Sequence, residues 1–478
     1  DDEYAVPASL PPHLLQTLAR TRAQRKTNRY TRFSLTMARA MKDSGVAWIG
    51  KIPRGWAIRR LKDCAQVDLG KMLTPEPKSA TDELLPYMRA TNISEGEIRR
   101  SSLKEMWFST AEAKKLRLRN GDVLVAEGGS IGLPLFVAGL MDGENICFQN
   151  AANRIRWGDD AKFLYFWMSW IYESGFHLNN VNAVSISHLT KEKLEVVPIT
   201  YPPLLEQRAI ADYLDQQTAL IDQRLSTLAE KKSVLAELRK ATIHEAITKG
   251  LNKTSPMKNS GNLFIGKIPA HWKIRRIKDI STKIGSGKTP LGGSSVYVPD
   301  GVMFLRSQNV WDEGLFLDDV VYIAETVDTE MRGSRIKVGD ILINVTGASI
   351  GRSCIVPEGI VANVNQHVCI VRLRNKRIAS FVARSMQAYA TQRQIAEAQV
   401  GAAREGLNFE QIGNLFVVAP PVDEQLAIAN YLDQQTQQID AQLATLDEQV
   451  QVLKELRKAI IHEAVTGKID LSGVVAGR

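Results

Sequence analysis

The sequence predicts two α/β (α+β) heads, each followed by one long helix, with this unit written twice in tandem. Three observations carry the prediction. The decapeptide AIADYLDQQT at Ala209 returns as AIANYLDQQT at Ala427, and other segments return in the same order at offsets of 216 to 219. Short apolar runs such as DVLVAE and DILINV alternate with Gly-rich turns at matching places, the pattern of small sheets with few helices. After each head comes a long stretch without internal proline whose apolar residues recur every seven positions.

Each element follows in order. Residues 1–40 have no counterpart in the second copy and read as a disordered extension without assigned function, with Met37 or Met41 as an alternative start. The first head spans 41–202, opening with MKDSGVAWIGKIPRGWAIRRLKD, which returns at Met257 as MKNSGNLFIGKIPAHWKIRRIKD. A spacer helix over 203–250 and a linker over 251–256 separate it from the second head, 257–420. A second helix, 421–470, and a tail, 471–478, complete the chain. Proline in the first turn and Gly250 or Gly467 at the end suit helix boundaries.

In the first helix Leu214, Ile221, Leu228 and Leu235 lie one heptad apart, with Thr218 and Leu225 between them. Leu432, Ile439, Leu446, Leu453 and Ile460 repeat the register, with Thr436, Leu443 and Val450 between. So narrow a stripe favours a coiled-coil seam over packing on a broad core. The other copy is a partner of equal length, so the expectation is an antiparallel coiled coil with a pseudo-twofold internal repeat. The alternative is two independent domains, each helix folded back on its own head. Paired heads at a set separation suit a polymer with a regular repeat, as when twofold-related modules read DNA half-sites. Matching frames with unlike loops would make that site asymmetric.

The chain is 44% hydrophobic and 7% aromatic, an ordinary globular composition, and its net charge of +9 is compatible with a polyanionic partner. Residues 1–40 hold seven Arg/Lys against three Asp/Glu, so the excess over the body is small. Cys64, Cys147, Cys354 and Cys369 show neither CxxC pairing nor metal spacing and read as free thiols. No run reaches the roughly 18 apolar residues of a membrane helix, and the start lacks a secretory apolar region, so a cytoplasmic protein is expected.

Several motifs have bland explanations. KIGSGKTPLGG lacks the first glycine of a phosphate loop, and Pro290 stands where a helix should begin. His244–Glu245 and His462–Glu463 lack the second histidine of a zinc site and read as packed helix-end residues. Phe163 to Tyr172 reads as core, and Trp56 and Trp272 as matched framework residues. Arg89 with Asn92, and Arg306 with Asn309, have side chains suited to DNA, but both pairs are shared between heads, which favours phosphate positioning or turn structure over base reading. The turns at Ser130 and Ser349 fit either a phosphate cradle or a tight hairpin. Base-reading candidates are the polar residues beside the frame that differ between copies. These are Lys71, Thr74, Lys78, Gln149, Asn150, Ser185, Ser187 and His188 in the first head. In the second they are Lys288, Thr289, Ser307, Gln308, Trp311, Gln366, His367 and Arg404. No catalytic or metal-ligating constellation emerges.

The order head, helix, head, helix, with IGKIP…W…RR/IKD, GD(V/I)L, (G/A)SIG and PPxxEQxxIAxYLD, resembles the specificity subunit of type I restriction-modification enzymes over about 41–470. The resemblance implies two target recognition domains reading a bipartite double-stranded DNA site. It implies helices that dock two methyltransferase subunits, joined by motor-nuclease subunits. This chain would hold no cofactor, while its partners use S-adenosylmethionine, ATP and Mg. A stand-alone DNA-binding regulator and a coiled-coil protein scaffold are the alternatives.

Overall fold

The protein is described by a computed structural model over residues 39–175, 188–399 and 406–471. It divides into two compact units, Asp1–Thr227 with Glu448–Arg478, and Leu228–Asp447. Each unit holds one head, the start of that head's own long helix and the end of the other.

In the first unit a four-stranded antiparallel sheet runs in the order Ala65–Leu69, Ala152–Trp157, Val123–Ala126, Pro134–Phe136. A second sheet places Glu83–Met88 between Lys104–Phe108 and, in parallel, Cys147–Phe148. The helix Ala161–Glu173 buries Phe163, Phe166, Trp167 and Trp170 against the first sheet. That aromatic run is therefore core, each such side chain contributing about 1.5–3 kcal/mol.

The second unit repeats the plan. Ser281–Ser286, Val368–Leu373, Ile341–Asn344 and Ser353–Ile355 form the antiparallel sheet, and Val302–Leu305 pairs in parallel with Ala362–Val364. Mostly antiparallel strands with separate short helices make both heads α+β.

The duplicated motifs acquire physical reasons. In the GD dipeptides Gly121 and Gly339 take φ of 93° and 83° to make the turn. Asp122 then receives Nε and Nη2 of Arg156 at 2.7 and 2.8 Å, and Asp340 receives the same groups of Arg372, both at 2.7 Å. In the EQ dipeptides Glu206 accepts the Trp56 indole N–H at 2.9 Å and Glu424 that of Trp272 at 2.8 Å. Gln207 and Gln425 donate back to Pro202 and Pro420 carbonyls at 2.9 and 2.8 Å, holding the chain where each helix begins.

The long helices are Leu204–Lys249 and Val422–Val465. In the first unit the end of the second helix enters the core: Ile461, Ala464 and Val465 pack with Trp56, Ile210 and Leu214, and Arg457 pairs with Glu173. In the second unit the end of the first helix does the same, with Ile243, Ala246 and Ile247 against Trp272, Ile428 and Leu432. There Arg239 pairs with Asp440 at 2.9 Å and Lys232 with Asp447, so the two segments run in opposite directions. Along the stripe Leu214, Ile221, Leu228, Leu432 and Ile439 are buried, as are Thr218 and Thr436. Leu225, Leu235, Leu443, Leu446 and Leu453 are half-buried. His462 stacks on Trp170, and His244 meets Tyr389 edge-on, so both helix-end histidines pack on a head. Among the described residues no helix is long and apolar enough to cross a membrane.

Candidate nucleic-acid interface

The motifs shared by both heads turn inward. The Asn92 side chain is fully buried, accepts the Arg89 backbone N–H at 3.0 Å and donates to Ser102 Oγ at 2.9 Å. Arg89 reaches the Ser102 carbonyl. Asn309 likewise accepts the Arg306 backbone N–H at 2.9 Å and donates to the Phe316 carbonyl, while Arg306 donates to the Asp319 carbonyl. Both pairs build a turn. The Ser130 and Ser349 segments close hairpins: Gly132 N–H donates to Ala126 O and Gly351 N–H to Asn344 O, at 2.8 and 2.9 Å. Ser349 Oγ is held by Asn344, and Ser130 Oγ lies 3.5 Å from Ser94 Oγ.

Some of the candidate residues lie where two loops meet. In the first head Gly70 and Lys71 run against Phe148–Asn150; Lys71 donates its N–H to Phe148 O and accepts that of Asn150. A Cβ on Gly70 would sit 2.2 Å from Gln149 O, so only glycine permits the approach. Gly287 makes the same approach to Val364 O in the second head. Lys71 is largely buried and its Nζ lies 2.5 Å from Glu112. Burial pushes the Glu112 carboxyl up, but the Lys71 ammonium and Ser109 donors outweigh it and hold it below the usual range. The third helical residue after the cap is Glu112 in one head and Val327 in the other. Exposed Lys288 accordingly has no ion-pair partner among the described residues.

Backbone bonds fix which positions correspond. Glu127 N–H donates to Ala151 O while Glu127 O accepts Leu189 N–H; Val345 N–H donates to His367 O while Val345 O accepts Leu407 N–H. Asn150 thus corresponds to Gln366, Ala151 to His367 and Gly128 to Thr346. The Gly128 position faces the exposed His188 ring, 3.4 Å from where a Cβ would stand. Burial pushes the adjacent Glu127 carboxyl up.

Other candidates are placed as follows. Thr74 is buried and donates to Met72 O, whereas Lys78 is exposed on a turn held by Asp82. Gln149 is half-buried and its N–H donates to Met88 O. Ser307 O accepts from Asn344, exposed Gln308 pairs with Asp319, and Trp311 lies under the Arg352 guanidinium at 4.1 Å. Ser185, Ser187 and Arg404 lie outside the described residues. The sequence reading passed over Thr346 and the exposed loop-tip residues Met72, Leu73 and Leu291. Apolar tips beside Gly-Lys turns were the available signal; such groups suit a thymine methyl.

The family described as the type I restriction modification DNA specificity domain matches this chain twice, over residues 53–230 and 269–451. The chain belongs to that family. Curated relatives include the type I restriction enzyme EcoBI specificity subunit of Escherichia coli, 25% identical over 61% of this chain. That match spans 62% of the relative, under two thirds of its length. The MjaVIII specificity subunit of Methanocaldococcus jannaschii is 23% identical over 89% of this chain and 95% of the relative. A solved structure of a type I R-M system, described for its complex assembly and conformational transition, shares the fold. Its TM-score is 0.66 at 19% identity, covering 87% of this chain and 99% of that one. The matched family is one of DNA specificity domains, and each of the two matches takes in most of one head and part of the long helix that follows it.

Proposed function

We propose that this chain reads a bipartite, asymmetric site on double-stranded DNA, one half with each target recognition domain. The carrying observation is the contrast between heads at corresponding positions: identical backbone bonding presents Asn150, Ala151 and Gly128 in one and Gln366, His367 and Thr346 in the other. Shared backbone fixes a common mode of approach, while unlike polar groups ask for unlike bases. The paired helices act as an antiparallel coiled-coil spacer with pseudo-twofold symmetry that sets the gap between halves. The opposed ion pairs Arg239–Asp440 and Lys232–Asp447 support this role. Two methyltransferase subunits dock on the helices, motor-nuclease subunits complete the complex in the cytoplasm, and those partners use S-adenosylmethionine, ATP and Mg.

The test is modified-base sequencing of DNA from cells carrying the methyltransferase subunit with and without this chain. A bipartite motif with unlike halves and a fixed gap, present only with the chain, is expected. Chain-independent methylation, or none from an assembled complex, would contradict the proposal.

A further inference from the structure

The second head carries a side-chain relay that the first lacks. Thr289 Oγ1 donates to Gln366 Oε1 at 2.6 Å, Gln366 Nε2 faces His367 Nε2 at 3.3 Å, and His367 Nδ1 lies 2.6 Å from Thr346 Oγ1. An amide nitrogen can only donate, so His367 Nε2 accepts and its proton sits on Nδ1, donated to Thr346. The relay leaves Gln366, which is exposed, with one N–H and one carbonyl lone pair unused by it. A donor and an acceptor side by side on one amide are what the adenine edge requires, N7 accepting and N6 donating. Exposed Lys288 stands next to Thr289, placed for a backbone phosphate. In the first head Asn150, Ala151 and Gly128 stand in place of Gln366, His367 and Thr346, so the device cannot form there.

We infer that Gln366 reads an adenine in the half-site of the second head, with Thr289, His367 and Thr346 as positioning residues that fix its amide. The inference rests on the DNA-recognition reading and deepens it. The test is selection of bound sequences from randomised duplex DNA by the full chain in complex with its methyltransferase partner. Gln366→Ala should reduce the preference for adenine at one position by about tenfold or more while the other half-site keeps its sequence. His367→Ala and Thr289→Val should relax that same position, and Thr289→Ser should restore it. A merely structural role would weaken binding without this single-position loss. Relaxation at a base other than adenine, or an unchanged site in Gln366→Ala, would overturn the inference alone. A wild-type complex that selects no sequence would overturn the recognition reading with it.

Discussion

His462 shows how one buried side chain ties stability to pH. Its ring lies flat on Trp170 at 4.8 Å, and burial, assisted by the neighbouring Lys468 ammonium, lowers its pKa to about 4. The unfolded chain protonates near 6.5, so between those values it binds more protons than the folded protein. The contribution is therefore complete above about pH 6.5 and drains away as pH falls toward 4. His462→Phe, which keeps an aromatic stack but takes no proton, should flatten the decline of melting temperature across that window. Part of the slope will persist, because burial holds His244 below its ordinary value too. A slope identical to wild type would contradict the account. The cysteines act differently: burial pushes Cys147, Cys354 and Cys369 up to about 12, leaving packed, unreactive thiols.

At the scale of elements, the decisive contacts join each head to the end of the helix that follows the other. Gly467 takes φ of 73°, and a Cβ there would meet Pro53 at 2.5 Å and Trp56 at 2.8 Å. Gly250 takes the same φ with Trp272 at 2.9 Å. Gly467→Ala should cost roughly 1–3 kcal/mol from the left-handed backbone alone, with the clash added. Gly261→Ala, at φ of 77° with nothing within 4 Å, should lose less. Equal losses in denaturant melts would refute the packing role. The heptad stripe and tandem order made the helices legible in sequence, because periodicity is local. The reason for the EQ dipeptide was not legible, since Trp56 lies 150 residues from Glu206. The relay was hidden for the same reason: Thr289 and Gln366 are 77 positions apart, and His367 is matched to Ala151 of the other head only by the backbone bonding of each. Arg89 and Asn92 looked like DNA contacts because their chemistry suits both a base edge and a buried turn; only burial separates the two.

For the whole molecule, the central claim is that the heads choose the half-sites and the helices choose the gap. One heptad of helix rises about 10 Å, close to three base pairs of DNA. Removing a matched heptad from both long helices preserves the apolar stripe and leaves both heads untouched. The direct measurement is modified-base sequencing from cells expressing the wild-type and shortened chains with the methyltransferase subunit. The account predicts the same two half-site sequences with an altered gap. An unchanged gap in a folded, active shortened complex would contradict it.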